Sequence, residues 1–235
     1  MKPNKPDKKN CEPKVCYLCG GDLAKLPNNE VNRDHVPPNQ FFTKHIKLTN
    51  NLDRLVTIKT HKKCNSAYKD DEEYFTRSIL PLVKGSYAGN SLFYDKILKS
   101  NSGKGTALSY LVLDEFEKRP FGLVLPIGKI VKRFDNKRYK RVAFKIARGL
   151  IFYEEGLLID PNALHRITNF SFSDEIPNDV EIINYLPSKG KYPGVFDYKY
   201  YVTDKMVFVS MLLFDKLILN IYMQSPYTKS TTSLT

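Results

Sequence analysis

The chain has 235 residues, with 37 Lys and Arg against 25 Asp and Glu, a formal charge of +12 and a hydrophobic fraction of 42%. That composition can bury a real core and excludes disorder throughout, and no apolar run reaches the roughly 18 residues of a membrane span. So large a basic excess suits a polyanionic partner, because phosphates bound by Lys and Arg release condensed counterions.

Residues 1–14 are rich in Lys, Pro and Asn and read as a disordered basic tail. The first ten carry charge and no apolar core, so no secretory signal and no membrane association are expected, and the expected compartment is the cytoplasm. Thiols stay reduced there, and clustered cysteines more often hold metal than form disulfides.

Residues 15–84 hold nearly all the metal-ligand chemistry. Cys16-x-x-Cys19 is one half of a knuckle, with Gly20 and Gly21 letting the backbone fold back. His61-x-x-Cys64 repeats the spacing about 45 residues on, and together the four side chains make a Cys3His set suited to a structural zinc ion. Cys11 fits no knuckle spacing and reads as free. Between the halves lies Arg33-Asp34-His35-Val36-Pro37-Pro38. Adjacent residues on a strand point to opposite faces, so Asp34 and His35 converge on one site only if the strand end bends. After the second half, Tyr68, Glu72, Phe75, Ile79 and Leu82 predict a helix, capped by Asn65 or Ser66 and with Pro81 near its end.

Residues 85–106 read as a connector. Its Gly103-Lys104-Gly105-Thr106 lacks the upstream glycine and preceding strand of a phosphate loop. Residues 107–224 read as a second α+β domain, with β-rich runs at Gly122–Ile127, Leu150–Tyr153, Val195–Tyr201, Met206–Phe214 and Leu217–Tyr222. One helix is expected among them, at about Asp135 to Arg148. From Lys129 to Arg148 there are nine Lys or Arg against one acid, Asp135. Lys137, Arg141, Lys145 and Arg148 recur opposite an apolar stripe and are expected to face a phosphate backbone. His45 and His165 match no motif and read as structural or surface residues. Residues 225–235 read as a disordered tail.

The order Cys16/Cys19, Asp34-His35-Val36-Pro37, Asn51-Leu52-Asp53-Arg54-Leu55 and His61-Lys62-Lys63-Cys64-Asn65 resembles the HNH (ββα-metal, His-Me finger) endonucleases of the zinc-knuckle type. The resemblance covers about residues 16–75, roughly a third of the chain. It implies a zinc-stapled ββα-metal module in which His35 is the general base and Asp34 and Asn65 are oxygen ligands of a catalytic divalent cation, Mg²⁺ or another. Asn51 would hold the loop that orients His35. His61 stands where a Cys is usual, and the alternative to zinc ligation is that it faces the phosphate. Asn65 stands where many members have His.

The expected fold class is therefore α+β, an N-terminal ββα-metal module followed by a second α+β domain. The expected function is a metal-dependent endonuclease hydrolysing DNA phosphodiester bonds, in phage defence or restriction, with a homodimer or a defence-system protein as partner. The alternatives are a non-catalytic zinc-knuckle nucleic-acid-binding protein and an RNA nuclease.

Overall fold

The computed structural model describes residues 14–49, 55–98, 104–117, 131–171, 182–190 and 192–226. The fold is mixed α+β with antiparallel sheets. Two short strands open it: β1 (Val31–His35) pairs with β2 (Thr57–His61) in a register that sets Val31 against His61 and His35 against Thr57. Helix α1 (Lys44–Thr49) lies between them in the chain, and α2 (Lys62–Ser66) continues directly from β2. Asn65 and Ser66 therefore lie within α2. The next helix, α3 (Lys69–Val83), has Tyr68 as its N-cap, with no side-chain cap bond, and Pro81 in its last turn.

The stretch expected as a connector carries α4 (Tyr87–Phe93) and a single π turn over Tyr94–Leu98, before α5 (Lys104–Asp114). A two-residue pairing follows, of β3 (Phe116–Glu117) with β4 (Val131–Lys132). The expected strand Gly122–Ile127 and the tail 1–13 lie outside the described residues, as do Asn51 and residues 227–235.

Helix α6 (Asn136–Glu155) is 20 residues long. It starts where expected: the Asp135 side chain accepts hydrogen bonds from the backbone N–H groups of Lys137 and Arg138. It ends at Gly156 with φ of 70°, a left-handed cap that glycine adopts without a Cβ penalty. Leu150–Tyr153, expected as a strand, forms its last turns. In that run the helix is buried on nearly every side, so the apolar residues are continuous instead of periodic and mimic a core strand.

The main sheet has strand order β5–β8–β7–β6, all antiparallel, from β5 (His165–Ser171), β6 (Phe196–Val202), β7 (Met206–Leu213) and β8 (Leu217–Gln224). A short helix, α7 (Ile182–Tyr185), precedes β6. Directly opposed residues share a face, so Val207 with Met223, Val209 with Ile221, and Met211 with Leu219 line one side. That side joins Val142, Ile146 and Leu150 of α6 in a core that also takes in Tyr17, Val36 and Ile58. The two expected domains thus share one hydrophobic core. Phe41 packs on Phe75 at 6.1 Å and edge-on to Phe214 at 5.7 Å, and the Tyr192 hydroxyl accepts a hydrogen bond from the backbone N–H of Val56 at 2.7 Å. Among the described residues no helix is long and apolar enough to cross a membrane.

Candidate functional site

The Cys16–Cys19 turn closes as its glycines predict. Cys16 N–H donates to Gly21 O at 2.8 Å and Gly20 N–H to Cys16 O at 2.7 Å, with Gly20 at φ 76°. A Cβ on Gly21 would come within 2.9 Å of the His61 ring, so the second glycine makes room for the imidazole. β2 ends at His61 and α2 begins at once, which delivers His61 and Cys64 to the same point.

The ligand atoms of Cys16, Cys19, His61 and Cys64 all lie within 4.8 Å of one another. His61 Nδ1 is 3.2 Å from Cys19 Sγ and 3.7 Å from Cys64 Sγ. A tetrahedral zinc ion with Zn–S bonds of about 2.3 Å separates its sulfurs by about 3.8 Å, so this donor set fits zinc. Among the described residues it is the one such cluster. The other ring nitrogen, Nε2, lies 3.3 Å from Asp22 O. A carbonyl only accepts, so Nε2 carries the proton and Nδ1 turns its lone pair toward the sulfurs. Burial, with Cys19 and Cys16 adding, pushes the Cys64 thiol up to about 12. A divalent cation among these sulfurs would displace those protons.

His35 ends β1 half-buried, opposite Thr57. Burial lowers its pKa below the ordinary value; Asp34 opposes this, and the Lys47 and Lys145 charges add to it. The imidazole is therefore neutral at pH 7, the form that accepts a proton.

Asp34 faces the other way, into the core. Its Oδ1 accepts from Lys145 Nζ at 2.7 Å, and its Oδ2 accepts from the Tyr17 hydroxyl. Burial, followed by the Asp34 charge, holds Tyr17 protonated, so the phenol donates. Lys145 Nζ also donates to Glu72 Oε1 on α3. Burial raises the Glu72 carboxyl above its ordinary range, with Lys145 opposing.

The expectation of an exposed face at Lys145 and Arg148 is corrected: their residues are 1% and 2% exposed. Arg148 Nε donates to Ile159 O at 3.0 Å, and its Nη2 donates to Tyr17 O at 2.5 Å and to Leu18 O at 3.3 Å. It thereby ties α6 to the loop between Cys16 and Cys19. Next to it, a Cβ on Gly149 would meet Val36 at 2.8 Å, so glycine lets α6 cross close over the residue after His35.

The resemblance implied a divalent cation on Asp34 and Asn65, and the arrangement does not fit it. Both Asp34 oxygens already accept from buried donors. Asn65 turns its amide nitrogen toward Arg33 O, at 3.5 Å.

The remaining cations of the α6 set sit elsewhere. Lys137 is exposed, and Arg141 is half-buried and donates to Asp71 and, at 3.1 Å, to Ala67 O. With Lys140 they line a groove of about 540 Å³ whose lining, among the described residues, holds no carboxylate. Its aromatic components are Phe144, stacked on His165 at 4.0 Å and 6°, and Tyr68, with the Arg141 guanidinium 4.2 Å above its ring. His165 is thus part of the groove wall, and His45 meets the Tyr87 hydroxyl at 2.7 Å. Tyr17, Glu72 and the Asp22 carbonyl carried no motif signal; their roles come from what faces them across the fold.

No family model matches the chain, and no curated protein or solved structure matches it.

Proposed function

We propose that the chain is a nuclease of the HNH kind that hydrolyses phosphodiester bonds in DNA, with His35 as the general base. The observation that supports this reading best is the knuckle's placement. Gripping an ion at His61 and Cys64 fixes β2 and α2 against β1, and so presents a neutral, half-buried imidazole at the strand end. Such a base takes the proton from a water as its oxygen bonds to phosphorus and the P–O bond to the 3′ oxygen breaks, that oxygen leaving as a hydroxyl with a proton from solvent. The groove beside α6 suits the polyanion: Lys137 and Lys140 contact phosphates, while the exposed His165 ring, backed by the buried Phe144, offers a face on which a base stacks. Phage defence or restriction is the context we propose, in line with the resemblance.

A second reading is a non-catalytic zinc-knuckle protein that binds nucleic acid. The burial of Asp34 against Lys145 and Tyr17 favours it, because the residue that would hold a metal serves the core instead.

Incubation of zinc-loaded protein with supercoiled plasmid, as the native chain and as His35→Ala, separates the two. Nicking by the native chain and none by His35→Ala supports the nuclease. Equal nicking by both removes His35 from the mechanism. Plasmid that is bound and never cut by either supports the binding protein. A single-stranded RNA substrate run alongside tests the RNA alternative.

A further inference from the structure

We propose that the Lys145 ammonium is the resident cation of this site, standing between Asp34 and Glu72 where an ion held by Asp34 would have to sit. The native chain therefore keeps a divalent ion out. The inference goes beyond both readings above: it leaves the nuclease reading to rest on His35 without a cation at Asp34, and its readout does not depend on cutting.

The geometry carries the argument. Lys145 Nζ is 2.7 Å from Asp34 Oδ1 and bonded to Glu72 Oε1, and the Tyr17 hydroxyl takes the other Asp34 oxygen. A hard divalent cation needs carboxylate oxygens at about 2.0–2.6 Å, and here each Asp34 oxygen points at a bound proton. A second positive charge a few ångströms from a buried ammonium would also be repelled in surroundings that screen poorly.

Lys145 cannot easily withdraw. Its side chain is 1% exposed, and it rises from the middle of α6. The helix is held on both sides of it: Arg138 pairs with Asp71 at 2.9 Å, and Arg148 grips Tyr17 and Leu18. Moving the ammonium out means unseating the helix. Conversely, removing only the charge would leave two carboxylates, from β1 and α3, in one small pocket. That donor set is suited to Mg²⁺ or Mn²⁺.

Mn²⁺ titrated into zinc-loaded protein, followed by the paramagnetic resonance signal of the free ion, tests this. The native chain should take up no Mn²⁺ that depends on Asp34. Lys145→Met should take up one equivalent, lost again when Asp34→Asn is added, and Mn²⁺ should raise the melting temperature of Lys145→Met alone. Uptake of one equivalent by the native chain that Asp34→Asn abolishes would overturn the proposal, as would a folded Lys145→Met that binds none. If Lys145→Met does not fold, comparison of the native chain with Asp34→Asn decides by itself. Failure of the plasmid assay would leave these results standing, so the two ideas fail separately.

Discussion

Arg148 reaches from α6 to the carbonyl of Tyr17, 2.5 Å away and 131 residues earlier in the chain, and so clamps the loop that carries two of the four residues that could hold a metal ion such as zinc. Replacing it by Met should leave three carbonyls without a donor and loosen that loop. We expect zinc to be lost to a chromogenic chelator about 10-fold faster than from the native chain, the scale seen when outer-shell partners of a metal are removed. Unchanged release would show that the knuckle stands without the helix.

Lys145 and Asp34 are both buried, and each is the other's counter-charge. Lys145→Ala should therefore cost about 3–5 kcal/mol in denaturant unfolding, because it strands a buried carboxylate. The pair Asp34→Asn with Lys145→Met should cost less than the two single changes together. Additive losses would mean that the two groups do not act on each other.

Cys64→Ser removes one corner of the ion site, and ion binding in such a site is coupled to folding. Zinc content should fall from one equivalent per chain, and the melting temperature should fall with it. A variant that keeps full zinc stoichiometry would refute the tetrahedron.

The pH dependence follows from His35. Its folded pKa lies below the ordinary value of 6.5, and the proposed general base acts in its unprotonated form. Cutting should therefore fall on acidification, with a midpoint at lower pH than an ordinary histidine would give. Burial of a neutral imidazole also makes stability fall on acidification, since the unfolded chain takes up the proton first. A rate that is still rising at pH 8 would assign the proton transfer to another group.

Lys137 and Lys140 are exposed at the groove, and each phosphate contact contributes about 0.9 to the slope of log affinity against log salt. Changing both to Ala should weaken binding to any DNA sequence and lower that slope by about 1.8. Changing Lys145 should leave the slope alone, because its ammonium does not reach solvent.

Several features were legible in the one-dimensional pattern because they are local. Two tight turns with the same two-residue gap announce a shared ion, and Asp135 announces a helix start by offering the side chain that its first amides need. The apolar β-rich runs at 195–222 announce strands through their composition and the turn-formers between them. Leu150–Tyr153 misled because a helix buried all round has no polar stripe to reveal its period.

The chain's order of residues thus determined the knuckle ligands, the placement of His35 on a strand and the α+β class, all of which depend on neighbours a few positions away. What only the tertiary structure decided is which charges stay wet. Lys137 and Lys145 look alike on a helical wheel, yet one faces water and the other is shut between Asp34 and Glu72. The reason is that burial of a cation depends on where distant carboxylates and carbonyls arrive. Those of Asp34, Glu72, Tyr17 and Leu18 come from segments that meet α6 only once the common core has closed.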